Sequence, residues 1–140
     1  MARDQATGNG GTDRVVATPP WMGQHSSVCQ RVLERLDAEL SETDSEGRPF
    51  TYGKVAAAVD VGNEDGAHHI SSVLFQALNN VGFTIPAGAV TYWSGEAMHR
   101  KDYKDLKAKP KAVASTMSTL AANASHLARV LAGNPYPAAG

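Results

Sequence analysis

The segment from Lys54 to Val61 constrains the fold most strongly. It reads Lys-Val-Ala-Ala-Ala-Val-Asp-Val, without polar alternation until Asp60, and glycines bracket it at Gly53 and Gly62. A continuous apolar run of this length predicts a strand that is covered on both faces, as in parallel sheets. The alanines are also compatible with a helix, but the two glycines limit the run to a length typical of a strand.

Two further strands are predicted, one at Val15–Ala17, closed by Thr18-Pro-Pro, and one at Ala89–Trp93. Three helices are predicted from apolar residues at helical spacing. Their inward positions are Val28, Cys29, Val32, Leu33, Leu36 and Leu40; Ile70, Val73, Leu74, Ala77, Leu78 and Val81; and Val113, Met117, Leu120, Ala124, Leu127 and Leu131. The first helix opens at Ser26 or Ser27, and Ser27 with Gln30 fits a capping box.

The order of elements is β-α-β-α-β-α, which predicts an α/β fold with a parallel sheet between layers of helices. In such sheets, ligands bind beyond the carboxyl ends of the strands. The loops that follow the first and second strands are Thr18–Ser26 and Gly62–His68. These two loops are therefore the candidate site.

Composition excludes several classes of protein. Thirteen basic and fourteen acidic residues give a net charge of −1, so no global charge favours nucleic acid or a membrane surface. A single cysteine, Cys29, excludes a disulfide framework and a cysteine-rich zinc site. With no long apolar run and a polar start, we expect a cytoplasmic protein. We expect one domain over residues 14–132, a flexible leader at 1–13 and a flexible tail at 133–140.

The first loop carries Trp21, Met22 and Gly23 in succession. A tryptophan at the mouth of a sheet can flank a flat heteroaromatic ring, and glycine lets backbone N–H groups approach such a ring. The alternative is that Trp21 merely plugs the end of the sheet.

In the second loop, two glycines frame three polar residues just before a helix, where free N–H groups accept electron-rich atoms. Asn63 or Asp65 can also serve simply as a helix cap. His68 and His69 raise the question of a metal. Adjacent helical positions point about 100° apart and do not readily share one ion, so no metal site is predicted.

Three segments together resemble the flavodoxin-like NADPH-dependent FMN reductase family. They are Thr-Pro-Pro-Trp-Met-Gly-Gln-His-Ser-Ser-Val at 18–28, Gly-Asn-Glu-Asp-Gly-Ala-His-His at 62–69 and Gly-Phe-Thr-Ile-Pro at 82–86. The stretch from Tyr92 to Asp105, with Asp-Tyr-Lys-Asp at its end, is similar to a subset of that family. The resemblance runs from about Asp13 to Leu131.

The resemblance implies a sheet of five parallel strands in the order 2-1-3-4-5, with FMN bound without a covalent bond. It implies that hydride passes from NADPH or NADH to the flavin and that no side chain acts as acid or base. The implied flavin-contacting residues are Thr18, Pro19, Pro20, Trp21, Met22, Gly23, Gly62, Asn63, Glu64, Asp65, Gly66 and His68.

The chain departs from the family in lacking its first two strands and the loop that binds the FMN phosphate. The expected fold is therefore a flavodoxin-like sheet truncated to three strands and three helices. Without its neighbour, the Val15–Thr18 strand has an open edge that invites association, so a homo-oligomer is expected. The alternative function is a non-catalytic association module that binds no flavin. Asp60, in the buried strand, is expected to shift its pKa.

A basic stretch runs from Arg100 to Lys111, with six basic and two acidic residues. It offers attraction for the 2′-phosphate of NADPH. A solvated charged loop is the commoner explanation of such a stretch.

Overall fold

The computed structural model describes residues 13–138. Three parallel-sheet strands, a short hairpin, three helices and a 3-10 turn follow one another along the chain. They are β1 (Arg14–Thr18), β2 (Pro20–Trp21), β3 (Gln24–His25), α1 (Ser27–Asp37), β4 (Ala56–Gly62), α2 (Ala67–Asn80), β5 (Val90–Ser94), the 3-10 turn (Tyr103–Asp105) and α3 (Lys111–Gly133). Apart from Asp13, the expected leader at 1–13 lies outside the described residues, as do 139 and 140.

The main sheet has the strand order β1-β4-β5, and both pairings are parallel. The Cα atom of Ala58 in β4 is in register with Val16 of β1 and with Val90 of β5. The apolar run is therefore the central strand, buried on both faces as predicted. The α/β fold with three parallel strands and three helices, of flavodoxin-like type, is confirmed.

Helices cover both faces of β4. On one face, α2 buries Ile70, Leu74 and Leu78 against Ala56 and Ala58, which form one core cluster with further residues. On the other face, α3 places Leu120 against Ala57 and Ala89. Because alanine has only a methyl side chain, both helices can approach the strand closely. The structure is thus a helix–sheet–helix sandwich with β4 in the middle.

The start of α1 differs from the predicted capping box. Ser26 is the N-cap, and its side chain accepts a hydrogen bond from the backbone N–H of Cys29. Gln30 instead hydrogen-bonds through its side chain to His25 and Glu34. The capping-box prediction is wrong. It requires Ser27 as the N-cap, whereas the N-cap is Ser26, one residue earlier.

The predicted burial of the α1 stripe is correct for three residues: Cys29 is buried, and Leu33 and Leu36 pack against the core. It is wrong for Val28, which is 67% exposed, and Val32, which is 44% exposed, and the helix ends at Asp37 before Leu40. The reason is that α1 packs beside β1, and among residues 13–138 no strand lies beyond β1 to extend the sheet under the helix. In α3, Met117 was also predicted to be in the core but is 37% exposed.

After α3, the ring of Tyr136 packs edge-on against Tyr52 with 5.5 Å between ring centroids, and its hydroxyl lies 2.9 Å from the Thr84 hydroxyl. In the part of the chain that the structure describes, no helix combines the length and apolarity needed to cross a membrane.

Candidate functional site

The segment after β1 folds back on itself as a two-residue β-hairpin, which the sequence did not predict. Trp21 in β2 pairs with Gln24 in β3, leaving Met22 and Gly23 as the turn. Their φ angles are +54° and +75°. Positive φ at both central residues is the signature of the type I′ turn that two-residue hairpins favour. A methionine in this conformation is uncommon and places local strain at the tip of the hairpin.

The hairpin packs tightly onto the loop that follows β4. Glycine is needed at Gly62, where a Cβ atom would overlap the Pro20 ring, and at Gly66, where it would come within 2.9 Å of the Gly23 Cα. The backbone N–H of Met22 donates to a carboxylate oxygen of Glu64. The two loops that the sequence singled out therefore touch along their length and form one unit at the carboxyl ends of β1 and β4.

A cleft of about 490 Å³ opens beside this unit. The size is within the range of about 300–1,000 Å³ that small-molecule sites usually occupy. Its lining residues are Pro19, Pro20, Trp21, Val61, Gly62, Asn63, Glu64, Trp93, Asp102, Tyr103 and Lys104. Half of the twelve predicted site residues line this cleft, namely Pro19, Pro20, Trp21, Gly62, Asn63 and Glu64.

One wall of the cleft comes from residues that the prediction missed. Trp93, at the end of β5, packs edge-on against Tyr103 of the 3-10 turn, with 5.5 Å between ring centroids and 62° between ring planes. Asn63 Nδ2 donates to Asp102 Oδ1 over 3.2 Å and so ties that turn to the β4 loop. Two features of the sequence could have indicated this wall. Asp-Tyr-Lys-Asp at 102–105 lies in the stretch that is similar to the reductase family, and Trp93 lies at the end of a predicted strand, at the edge of the sheet where ligands bind.

The other six predicted residues lie outside this cleft. Thr18 is buried beneath the hairpin, where its hydroxyl oxygen accepts from the Ser26 N–H over 3.0 Å. Met22, 91% exposed, and Gly23 form the hairpin tip. A separate hollow of about 280 Å³ is lined by the remaining three, Asp65, Gly66 and His68, together with neighbours that include Tyr92.

The two adjacent histidines diverge, as their helical positions require. His68 Nε2 lies 3.1 Å from the Tyr92 hydroxyl, and His69 Nε2 lies 3.1 Å from Gln24 Oε1. Across residues 13–138, no group of three or more His, Cys, Asp or Glu side chains is arranged to hold a metal ion.

The charged lining residues of the cleft are two carboxylates and one ammonium group, which leaves one negative charge in excess. Lys104 is its cationic lining residue among those described, and its Nζ lies 3.4 Å from Asp102 Oδ2. Glu64 adds a second carboxylate on the opposite side. A cleft with aromatic walls and little net charge suits a flat uncharged ring, whereas a phosphate group would require a surplus of cations or free backbone N–H groups.

Asp60 is a buried carboxyl close to the site. It is 2% exposed, and its Cα is in register with Thr18 on one side and Tyr92 on the other. Its Oδ1 atom has no hydrogen-bond partner among the described residues. Burial raises the pKa of Asp60 to about 6, in agreement with the sequence-based expectation. Burial also raises the pKa of the Cys29 thiol, which favours its neutral form.

No known protein-family model matches the chain. It is 34% identical over 124 residues to the 8-demethyl-8-aminoriboflavin-5′-phosphate synthase of Streptomyces davaonensis, a match that covers 87% of this chain and 48% of that protein. It is also 38% identical over 91 residues to the divalent metal cation transporter MntH of Mycobacterium bovis, which covers 65% of this chain but 13% of that protein.

Among solved structures, the fold matches the crystal structure of RosB with its bound intermediate 8-demethyl-8-formylriboflavin-5′-phosphate. The TM-score is 0.76 at 30% identity, over 87% of this chain and 50% of RosB. The chain thus spans about half the length of RosB and of the Streptomyces synthase, and it is homologous to flavin-converting enzymes. None of these relatives is named as an FMN reductase.

Proposed function

We propose that the cleft binds the ring system of FMN and that the chain is a flavin-dependent oxidoreductase using NADPH or NADH. The observation that carries this proposal is the pair of aromatic walls, Trp21 on one side and Trp93 with Tyr103 on the other, at the carboxyl ends of the parallel strands. Homology to a riboflavin-phosphate synthase, and to the RosB structure with its bound riboflavin phosphate, supports it. We place the activity in the cytoplasm, where reduced nicotinamide nucleotides are available.

The residues of the cleft fit a flavin ring. Offset or edge contacts with aromatic side chains favour a flat conjugated ligand. Gly62 lets the β4 loop pack directly on the Pro20 ring, so both loops line the same cleft. Asn63 lines the cleft, and the hydrogen bond from its Nδ2 to Asp102 Oδ1 fixes the position of its side chain there.

When bound, FMN supplies the chemistry by accepting a hydride from the nicotinamide. The task of this chain is to orient the ring and to exclude water from the face that lies against the strand ends. Trp21, 58% exposed, forms the outer wall and leaves the mouth of the cleft open to a nicotinamide. The chain needs no acid or base for this transfer, so the proposed residues are binding residues.

The near-neutral cleft predicts that the phosphate of FMN contributes little to binding by one copy of this chain. The dissociation constants of riboflavin and FMN should then differ by no more than about threefold. That factor corresponds to less than about 1 kcal/mol of binding free energy. A much tighter FMN complex would show that an anion site exists elsewhere in the molecule.

A second candidate follows from the names of the relatives. The flavin in the name of the synthase and the intermediate bound to RosB both carry a changed substituent at the 8-position. In this alternative the bound flavin is a substrate that leaves with altered mass. Mass spectrometry of the flavin after incubation distinguishes the two, because a reductase returns the flavin with its original skeleton.

The proposal is tested by titrating the chain into FMN and following the quenching of flavin fluorescence, then adding NADPH or NADH without oxygen. We expect saturable quenching and bleaching of the flavin absorption band. Trp21→Ala removes one wall and should weaken binding by about tenfold, which corresponds to about 1.4 kcal/mol.

Phe50→Ala is the matched control, because Phe50 is also an exposed aromatic residue but does not line the cleft. It should leave the FMN affinity unchanged. If the chain does not quench flavin fluorescence at millimolar concentration, the proposal is wrong and the association-module alternative is favoured. Binding without bleaching by either nucleotide would reject the reductase and retain the flavin site.

A further inference from the structure

We propose that the basic segment, residues 100–111, binds the phosphate groups of the nicotinamide nucleotide and makes the site prefer NADPH to NADH. This inference rests on the proposed function, because it names the substrate of the same site more narrowly. NADPH differs from NADH by one phosphate group, on the 2′-oxygen of the adenosine ribose. Cations beside the cleft distinguish the two nucleotides by that group.

Positive charge is concentrated in the basic segment. Six of the thirteen basic residues of the chain lie within these twelve positions, against two acidic residues. The segment therefore has a net charge of +4, whereas the whole chain has −1. All six basic side chains are exposed. A local surplus of this kind attracts phosphate groups, whereas the charged lining of the cleft itself has a negative excess.

Most of these cations are not neutralised by the fold. Lys104 pairs with Asp102, with 3.4 Å between Nζ and Oδ2. The two acidic residues of the segment are engaged within the fold, since Asp102 Oδ1 accepts from Asn63 and Asp105 Oδ2 accepts from the Asp102 N–H over 3.0 Å. The five other basic residues have no ion-pair partner within residues 13–138, and they are Arg100, Lys101, Lys107, Lys109 and Lys111.

The start of α3 adds to the same positive field. The helix begins at Lys111, behind Pro110, with no side-chain cap and no acidic residue in its first turn. The amino end of a helix carries partial positive charge, so Lys109 and Lys111 lie where cations are least favourable. The last turn of α3, where cations are favoured, has no basic residue. Charges that served solubility alone would gain nothing from this placement, whereas a bound anion stabilises it.

The basic segment is attached to the cleft at one end. Tyr103 and Lys104 line the cleft, and the ring of Tyr103 packs edge-on against Trp93. Lys111 follows Lys104 by seven residues, so the chain between their Cα atoms reaches at most about 25 Å. A dinucleotide with its nicotinamide at the mouth of the cleft therefore has the cations of this segment within reach of its phosphates.

The test compares two variants with the same change in total charge. Lys107→Glu with Lys109→Glu, the segment variant, reduces the net charge of the segment from +4 to zero and alters no residue that lines the cleft. Arg31→Glu with Arg129→Glu is the matched control, because both arginines are exposed and lie on α1 and α3, outside the cleft and the segment. Circular dichroism should show that both variants remain folded.

Isothermal titration calorimetry with NADP⁺ and NAD⁺ measures the preference without turnover, in the flavin-free chain and in the chain saturated with riboflavin. We expect the natural chain and the control to bind NADP⁺ at least about tenfold more tightly than NAD⁺ at low salt, and the segment variant to retain less than about threefold. The preference should also decrease between about 20 mM and about 200 mM salt, because exposed charges are screened.

Equal affinity for NADP⁺ and NAD⁺, or a preference that persists in the segment variant, would overturn this inference. Titration with FMN and riboflavin identifies the other source of phosphate. An affinity for FMN well above that for riboflavin, lost in the segment variant, would assign the segment to the FMN phosphate instead.

Two further outcomes are distinguished by the same chains. A single-stranded oligonucleotide that binds more tightly than NADP⁺, and does so through the two lysines, would assign the segment to nucleic acid and overturn the inference. A preference for NADP⁺ in a chain that does not quench riboflavin fluorescence would support the role of the segment and reject the flavin site. The failure of either proposal is therefore visible without the other.

Discussion

The two helices on the same face of the sheet, α1 and α2, have opposite surroundings. Both sequences carry an apolar stripe at helical spacing. In α2 the centre of the stripe is fully buried, with Ile70, Leu74 and Leu78 at 0% exposure, and Val73 and Ala77 are partly buried. In α1 the equivalent valines remain exposed, although the helix forms and has a side-chain N-cap hydrogen bond, which α2 lacks.

The difference shows what an amphipathic pattern does and does not specify. The pattern determines which side of a helix requires cover. It does not determine whether the cover comes from the same chain. At α2 the central strand and the loop around Phe83 provide it, whereas at α1 the described part of the sheet ends at β1. The exposed stripe is therefore a property of the position of α1 in the sheet.

The largest expected effect compares the two helices directly. Leu74→Ala should lower the free energy of unfolding by about 2–5 kcal/mol, because it leaves a cavity in the core. Val32→Ala should lower it by less than about 1 kcal/mol, because the residue is 44% exposed. Urea unfolding followed by circular dichroism measures both.

Equal losses for the two variants would show that the stripe of α1 is covered as fully as that of α2. The contrast drawn here would then be wrong.

The next effect concerns Asp60 in the central strand, whose buried Oδ1 atom has no hydrogen-bond partner among the described residues. Its pKa is about 6 in the folded chain against 3.8 in the unfolded chain, so the folded state binds the proton more tightly. Its contribution to stability is therefore present below about pH 4 and is lost as the pH rises through 6. Two pKa units correspond to about 3 kcal/mol.

Asp60→Asn should accordingly be more stable than the natural chain by about 3 kcal/mol at pH 7.5, and the two should converge near pH 4. The measurement is the difference between their unfolding free energies across this range. Asp37→Asn, at an exposed position on α1, controls for the loss of a carboxylate as such. A difference that does not vary with pH would show that Asp60 ionises normally.

The smallest effect tests how α1 begins. Ser26→Ala removes the side chain that caps Cys29 and should cost about 1 kcal/mol. Ser27→Ala should change stability by less than about 0.5 kcal/mol, since Ser27 is exposed and is not the cap. The reverse order would restore the capping box that the sequence suggested. Urea midpoints of the two variants decide between them.

The sequence was sufficient for the architecture because its strongest signals are local. The run from Val55 to Val59 has to be covered on both faces, and the alternation of strands with helices leaves few other topologies. The position of the two candidate loops followed from the same rule, since parallel strands end at one edge. The burial of Asp60 followed from its position within the run.

What the sequence missed depends on contacts between distant segments. The wall formed by Trp93 and Tyr103 exists because the polar stretch after β5 folds back and Asn63 holds it there. The hairpin was missed because its turn uses Met22 at positive φ instead of the Asn-Gly or Asp-Gly pair typical of type I′ turns. The exposure of the α1 side chains depends on whether another strand lies beside β1, which the residues of α1 do not specify.

The central claim is that the Trp21 hairpin and the Trp93–Tyr103 wall enclose one flavin. The chain contains two tryptophans, so its ¹H–¹⁵N NMR spectrum has two indole N–H signals, one from each wall. On addition of FMN, both signals should shift together and saturate at the same flavin concentration. If FMN binds and shifts one indole signal or neither, the two walls do not form a common site.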